Sequence, residues 1–175
     1  MAAAAHLTLV LGGARSGKSR YAESLAANHA GPRRYIATAR ADDDEMAARI
    51  ETHRARRGED WETIEAPADL PGAVARAGVA GSFVLVDCLT LWLSNLILAD
   101  KDIGAETQRL IAALEGAAGR TVLVSNEVGL GIVPQTRLGR LFRDEAGLLN
   151  QRIAQIADEV ILIAAGLPLT LKPPG

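Results

Sequence analysis

This 175-residue chain has little cysteine, few lysines and no long run of any one character. Each shortage removes a class of protein. With Cys88 as the only cysteine, an intrachain disulfide and a multi-cysteine zinc site are both excluded, a usage expected of a reducing compartment. Its place in an apolar stretch marks it as an inert core thiol. Of the 19 basic residues only Lys18, Lys101 and Lys172 are lysines, so sixteen are arginines, an imbalance that a coding bias is sufficient to produce. No basic run is longer than Arg56-Arg57 and the formal net charge is −2, so the long positive footprint of a nucleic-acid binder is missing. No apolar run reaches the roughly 18 residues of a membrane span. The opening Met1–His6 has neither a basic leader nor a cleavage motif. These absences predict a soluble cytoplasmic protein with no nucleic-acid partner and no membrane span.

What remains is ordinary globular material, 49% hydrophobic and 23% charged. A chain of this length buries most of the surface it exposes when unfolded. With no repeat and no Pro/Gly/Ser linker, residues 1–175 are expected to form a single domain. Five short apolar runs read as strands: Leu7–Leu11, Arg34–Thr38, Phe83–Cys88, Thr121–Ser125 and Val160–Ala164. Between them lie helical patterns over Lys18–Asn28, Asp43–Arg57, Asp69–Ala77, Thr90–Leu98, Ala105–Ala118 and Thr136–Ala157. Near-continuous apolar strands alternating with helices predict a three-layer α/β domain whose mostly parallel sheet is covered on both faces. Trp61–Ile64 and Leu169–Leu171 read as further strands at the sheet edges, the second ended by Pro173-Pro174.

The first strand runs into Gly12, Gly13, Ala14, Arg15, Ser16, Gly17, Lys18 and Ser19. This is G-x-x-x-x-G-K-[ST] between a strand and a helix, the context the phosphate-binding P-loop requires. Glycines let backbone N–H groups converge on phosphate oxygens, and the start of the following helix adds partial positive charge. Lys18 then reaches the β and γ phosphates of a nucleoside triphosphate, and Ser19 ligates Mg²⁺. Arg15 either touches phosphate or faces solvent. Asp87 ends the apolar strand as Val-Leu-Val-Asp, and it reads either as the carboxylate that holds the metal or as a cap on the helix that follows.

Three histidines are present. His53 lies among Arg49, Arg54, Arg56 and Arg57, whose charges would offset an incoming phosphate. About three quarters of an unperturbed imidazole is neutral at pH 7, and a neutral ring can act as a nucleophile. Spacing alone favours the blander alternative, a solvated residue on an arginine-rich helix. His6 and His29 read as structural or solvent-facing.

Taken in order, Gly12–Ser19, Tyr35-Ile-Ala-Thr38, Asp44-Glu-Met46, His53-Arg54, Val86-Asp87-Cys88, Asn126-Glu-Val-Gly129, Gly131-Ile-Val-Pro134, Phe142-Arg-Asp144 and Asn150-Gln-Arg152 closely resemble one family. It is the bifunctional adenosylcobinamide kinase/adenosylcobinamide-phosphate guanylyltransferases of cobalamin biosynthesis. A P-loop alone is common to many enzymes, whereas this series, from about Leu7 to Lys172, is specific.

The resemblance implies a RecA-like P-loop core assembled as a homotrimer, with a corrinoid small molecule as substrate and GTP and ATP as nucleotide substrates. It implies phosphorylation of the aminopropanol hydroxyl of adenosylcobinamide from ATP or GTP. It then implies transfer of GMP from GTP through a guanylyl-histidine, giving adenosylcobinamide-GDP and pyrophosphate. His53 falls where the family has that histidine. The resemblance also carries nucleotide contacts onto Ala37, Thr38, Ala39, Arg54, Ala55, Arg56, Glu65 and Asp87 beside the P-loop. Catalytic roles fall to His53 and Lys18, and metal ligation to Ser19 and Asp87. Glu127 has three readings: metal ligand, base or loop anchor.

Overall fold

A computed structural model describes residues 5–40, 48, 51, 52, 55 and 60–175. Among them seven strands form one sheet: β1 (His6–Gly12), β2 (Arg33–Ala37), β3 (Trp61–Glu65), β4 (Phe83–Asp87), β5 (Arg120–Asn126), β6 (Glu159–Ala164) and β7 (Leu167–Lys172), in the spatial order β3-β2-β4-β5-β1-β6-β7. The first six run parallel, and only β7 turns back antiparallel on β6. Both short apolar runs are therefore strands, and both lie at the edges. All five apolar runs read from the sequence are central strands.

Five helices are described: α1 (Lys18–Ser24), α2 (Leu70–Ala77), α3 (Leu89–Leu98), α4 (Ile103–Glu115) and α5 (Arg137–Ile156). Their starts follow local capping chemistry, in which a short polar side chain takes up an otherwise orphaned N–H. Asp69 accepts from Gly72 N–H, Asp102 from Ala105 N–H and Thr136 from Gly139 N–H. The Asp102 cap starts α4 two residues before Ala105. The first helix is shorter than the expected Lys18–Asn28. After Ser24 the bonds change to i→i−3, with Leu25, Ala26 and Ala27 donating to Ala22, Glu23 and Ser24. This tightens the chain into turns, and the Arg33 guanidinium takes the carbonyls of Ala27 and His29 beyond them. Of the helix expected over Asp43–Arg57, residues 48, 51, 52 and 55 are helical, with Thr52 Oγ1 donating to the Ala48 carbonyl at 2.8 Å. The rest of that span lies outside the described residues.

Alternation along the strands divides the core in two. One face carries Leu9, Leu11, Ile36, Val84, Val86, Leu123 and Val160 and is covered by residues of α2–α5, including the fully buried Leu70, Trp92, Leu93, Leu110 and Ile153. Trp92 satisfies its indole N–H on the Ala68 carbonyl at 2.9 Å. The other face carries Val10, Tyr35, Phe83, Leu85, Val122, Val124 and Ile161. Its described helical cover is α1, extended over β2–β4 by an aromatic run in which Tyr35 meets Trp61 edge-on, Trp61 meets Phe83 edge-on and His29 tilts against Phe83. His29 also bonds the Gly81 carbonyl through Nε2 at 3.0 Å, so of the two readings, structural or solvent-facing, it takes the structural one. His6 sits 3.8 Å from both Asp158 and Glu159, near the start of β1.

Cys88 is buried on this second face. Burial, reinforced by the neighbouring Asp87 charge, pushes its thiol from 9.0 up to about 11. The expectation of an inert core thiol is met. Native protein at pH 8.5 is expected to resist iodoacetamide and to be alkylated once denatured, as read by mass spectrometry. The unfolded chain releases this thiol proton at lower pH than the folded one, so stability falls as pH rises from about 9 towards 11. Guanidinium midpoints at both ends of that range should show the fall, and Cys88→Ala should reduce it.

Candidate nucleotide site

The parallel strands bring their carboxyl ends to one rim, where open α/β sheets place their ligand crevice. Register fixes the neighbours: Glu65 stands opposite Ala37, Ala37 opposite Asp87, Asp87 opposite Val124 and Asn126 opposite Gly12. Because β5 lies between β4 and β1, the Asp87 end of one strand and the P-loop end of another lie on the same rim, one strand apart.

The loop itself is built by close packing. A Cβ on Gly12 would come within 2.8 Å of the Ile163 carbonyl oxygen and collide with Ser16 Oγ. Gly17 has φ 97° and lies against Gly166, whose N–H donates to the Ser16 carbonyl at 2.8 Å. Side chains other than hydrogen are disfavoured at such a φ. Ser16 N–H closes the turn on the Gly13 carbonyl at 3.3 Å. Lys18 Nζ donates to the same carbonyl at 3.0 Å, so its ammonium lies over the loop. Arg15, at φ 55°, is exposed. Among the described residues, Ser16 Oγ is one of three buried side-chain polar atoms without a hydrogen-bond partner. The other two, on Arg120 and Thr121, lie at the opposite end of β5. An orphan hydroxyl at the centre of a glycine cradle fits a phosphate oxygen.

Asp87 does not cap the helix that follows it. The N-cap of α3 is Cys88, with no side-chain cap bond, and the Asp87 carboxylate instead accepts from the Tyr35 hydroxyl at 3.0 Å through Oδ2. Beside it Thr38, wholly buried, uses one hydroxyl twice: it donates to the Cys88 carbonyl at 2.7 Å and accepts from Cys88 N–H at 2.9 Å. Asn95 of α3 donates to the carbonyls of Thr38 and Pro67, both at 2.9 Å. The Thr38 side chain thus holds the β2 and β4 ends together. Ala37 and Ala39 flank it, half-buried at the rim, and Glu65 is exposed at the end of β3.

Glu127 follows β5, donates its N–H to the Gly12 carbonyl at 3.0 Å and accepts from Gly129 N–H at 2.6 Å. In this structure its side chain orders its own loop. Asn126 donates to Thr90 Oγ1 at 2.6 Å, and Asn150 of α5 joins Ser125 Oγ to the Asn126 carbonyl. Tyr35, Asn126 and Asn150 belong to motifs of the resemblance but, like Asn95, were assigned no contact or catalytic role from the sequence. Only Asn126, a polar group at the end of an apolar strand, carried a local signal; Tyr35 lies mid-strand and Asn95 and Asn150 lie within helices, and their partners are distant in the chain. Ala55 is helical and exposed, whereas His53, Arg54 and Arg56 lie outside the described residues.

No group of three or more His, Cys, Asp or Glu side chains able to cage a metal occurs among the described residues. A magnesium ion needs no such cage, since one or two protein oxygens plus substrate phosphates suffice. Ser19, at the start of α1, and Asp87, at the end of β4, are oxygen donors of the required type.

A P-loop, a strand-end carboxylate across one intervening strand and the motifs along the same rim narrow the comparison to nucleotide-using enzymes. The bifunctional adenosylcobalamin biosynthesis protein CobP of Pseudomonas aeruginosa is 51% identical, the match covering 94% of this chain and 96% of that protein. The proteins named CobU, with the same bifunctional description, from Escherichia coli and Salmonella typhimurium are 44% and 42% identical, each match covering 95% of this chain and 99% of theirs. Residues 8–171, which include the whole rim from the P-loop to Glu127, match the family model described as cobinamide kinase / cobinamide phosphate guanyltransferase, and the chain belongs to that family.

Proposed function

We propose that one nucleotide cleft on this chain serves two successive reactions on a corrinoid: phosphorylation of adenosylcobinamide by ATP or GTP, then transfer of GMP from GTP to the adenosylcobinamide phosphate. The observation that carries this reading is the juxtaposition of the P-loop with Asp87 on either side of β5, in a chain that matches a kinase/guanyltransferase family over nearly its whole length. Residues 1–175 act as one catalytic unit.

In the kinase step the hydroxyl oxygen of the corrinoid attacks the γ-phosphorus, a P–O bond to it forms, the P–O bond bridging β and γ breaks to release the nucleoside diphosphate, and the hydroxyl proton passes to solvent. Gly12–Ser19 hold the phosphates through backbone N–H groups, and Ser16 Oγ supplies a further bond. Lys18 exchanges its contact with the Gly13 carbonyl for phosphate oxygens, offsetting the charge that collects there. Ser19 and Asp87 would hold Mg²⁺, which would supply further charge neutralisation at the phosphates. Positioning and electrostatics are the main contributions a P-loop makes to such a transfer.

In the transferase step a ring nitrogen of His53 attacks the α-phosphorus of GTP. An N–P bond forms, the α–β bond breaks and pyrophosphate leaves. An oxygen of the corrinoid phosphate then attacks the same phosphorus, breaking the N–P bond and regenerating the imidazole. The assignment of His53 rests on its motif, with Arg54, Ala55 and Arg56 as neighbouring nucleotide contacts. Ala37, Thr38, Ala39 and Glu65 line the same rim. The Thr38 hydroxyl, N–H and carbonyl are engaged by Cys88, Asp87 and Asn95 respectively, so this residue holds the rim in shape.

The protein works in the cytoplasm as a homotrimer in this reading. Among the described residues no helix is long and apolar enough to cross a membrane. Yet Leu138, Leu141 and Leu148 are exposed along one side of α5, with Leu130, Ile132 and Val133 exposed in the loop before it. Such apolar surface is what a subunit contact covers.

Incubation with Mg²⁺ and GTP labelled at the α-phosphate tests the covalent step. Wild-type protein should retain label after denaturing electrophoresis, lost in acid and stable in alkali, and His53→Ala should retain none. Wild type that binds GTP without labelling would overturn the guanylyl-histidine. Light scattering on the eluting protein should give three times the 18.4 kDa chain mass. Leu141→Glu together with Leu148→Glu should lower that mass while leaving the circular dichroism spectrum intact.

A further inference from the structure

Asp87 is held on two sides, by Thr38 through the backbone and by Tyr35, to which no role in the reaction has been given. Tyr35 and Leu85 are register partners on β2 and β4. Asp87, two residues beyond Leu85, is therefore the diagonal neighbour of Tyr35 on the same face, within reach of a long aromatic side chain. The Tyr35 hydroxyl uses that reach, donating to Asp87 Oδ2 at 3.0 Å. Its ring has little freedom to withdraw, because Tyr35 is 5% exposed. Trp61 of β3 stands edge-on to it at 6.4 Å, and Trp61 is itself edge-on to Phe83 at 5.9 Å. From the backbone side, the two Thr38 bonds to Cys88 fix the residue that follows the carboxylate.

Resting on the reading of Asp87 as a magnesium ligand, we propose that Tyr35 is a positioning residue for the metal: its hydroxyl orients the Asp87 carboxylate towards the phosphates held by the P-loop. The physical basis is general. A ligating carboxylate on a freely rotating χ2 must be ordered when the ion binds, whereas one already hydrogen-bonded through one oxygen is ordered in advance. Partners of this kind typically contribute about 10–100-fold to metal affinity when removed by mutation. Aromatic packing of Tyr35, Trp61 and Phe83 then has a second consequence besides core stability: it sets the position of a hydroxyl at the mouth of the cleft.

The test uses the full chain with a non-hydrolysable GTP analogue and Mn²⁺ in place of Mg²⁺, reading free Mn²⁺ by electron paramagnetic resonance. Tyr35→Phe keeps the ring and removes the hydroxyl, and it should weaken Mn²⁺ binding by about tenfold while analogue affinity without metal stays unchanged. In kinase assays the same variant should need more Mg²⁺ for half-maximal rate and recover most of its kcat at saturating Mg²⁺. A merely structural role would lower the melting temperature and kcat without moving the Mn²⁺ constant, and that outcome overturns the proposal. Trp61→Leu leaves the hydroxyl in place but frees the ring, so it should shift the Mn²⁺ constant in the same direction and provides a second variant should Tyr35→Phe fold poorly. Asp87→Asn separates the two readings. If it weakens Mn²⁺ binding and Tyr35→Phe does not, the role of Tyr35 is refuted and that of Asp87 stands; if Asp87→Asn has no effect, Asp87 is no metal ligand and both fall.

Discussion

The parallel pairing of β5 with both β1 and β4 is the constraint on which the rest of the molecule depends. Residues 12–19 and residue 87 are some 70 positions apart in the chain. They share a cleft because one strand lies between their own strands, with all three carboxyl ends on the same rim. The fully buried Val122, Leu123 and Val124 at the middle of β5 show how firmly that strand is seated. Sliding β5 by one residue would transfer each of these side chains to the opposite face of the sheet, so core packing and site geometry are specified together.

Polar groups at the rim extend that arrangement. Thr38 joins the ends of β2 and β4, Asn95 joins α3 to the chain entering α2, and Asn150 ties α5 to β5. Each of these side chains is buried or half-buried, where an unsatisfied donor or acceptor is costly. Their hydrogen bonds are therefore as much a condition of folding as of function. Ser16 Oγ, buried and without a partner, departs from this pattern inside the P-loop. A site organised to receive phosphate leaves a polar group for the ligand to satisfy.

The two faces of the sheet serve different ends. Four helices bury one face under a continuous aliphatic layer. On the other, α1 follows directly from the P-loop, and the aromatic run covers β2–β4. The hydroxyl of Tyr35 at the end of that run emerges at Asp87, so packing on this side reaches the chemical groups without an intervening loop.

Much of this was legible in the chain before any coordinates. Apolar runs bounded by turn residues located the strands, since burial on both faces leaves little room for polar side chains. Gly12–Ser19 matched the pattern of a phosphate loop because few other combinations allow its backbone geometry, and the reading of His53 rests only on its motif. Helix ends were less legible: the Asp102 cap and the i→i−3 turns after Ser24 depend on competing local bonds. The alternatives for Asp87, metal carboxylate or helix cap, both stayed open in sequence because both use an acidic residue before a helix. Only the folded chain excluded the cap, through the bond from Tyr35 and the start of α3 at Cys88. By itself the sequence determined the alternation of elements, the phosphate loop and the family, all of which are written in local residue types and spacings. Tertiary structure alone decided strand order, the partners of Asp87, Thr38 and Asn150, and the contact of Glu127 with its own loop, because each joins residues through space with no local pattern to announce it.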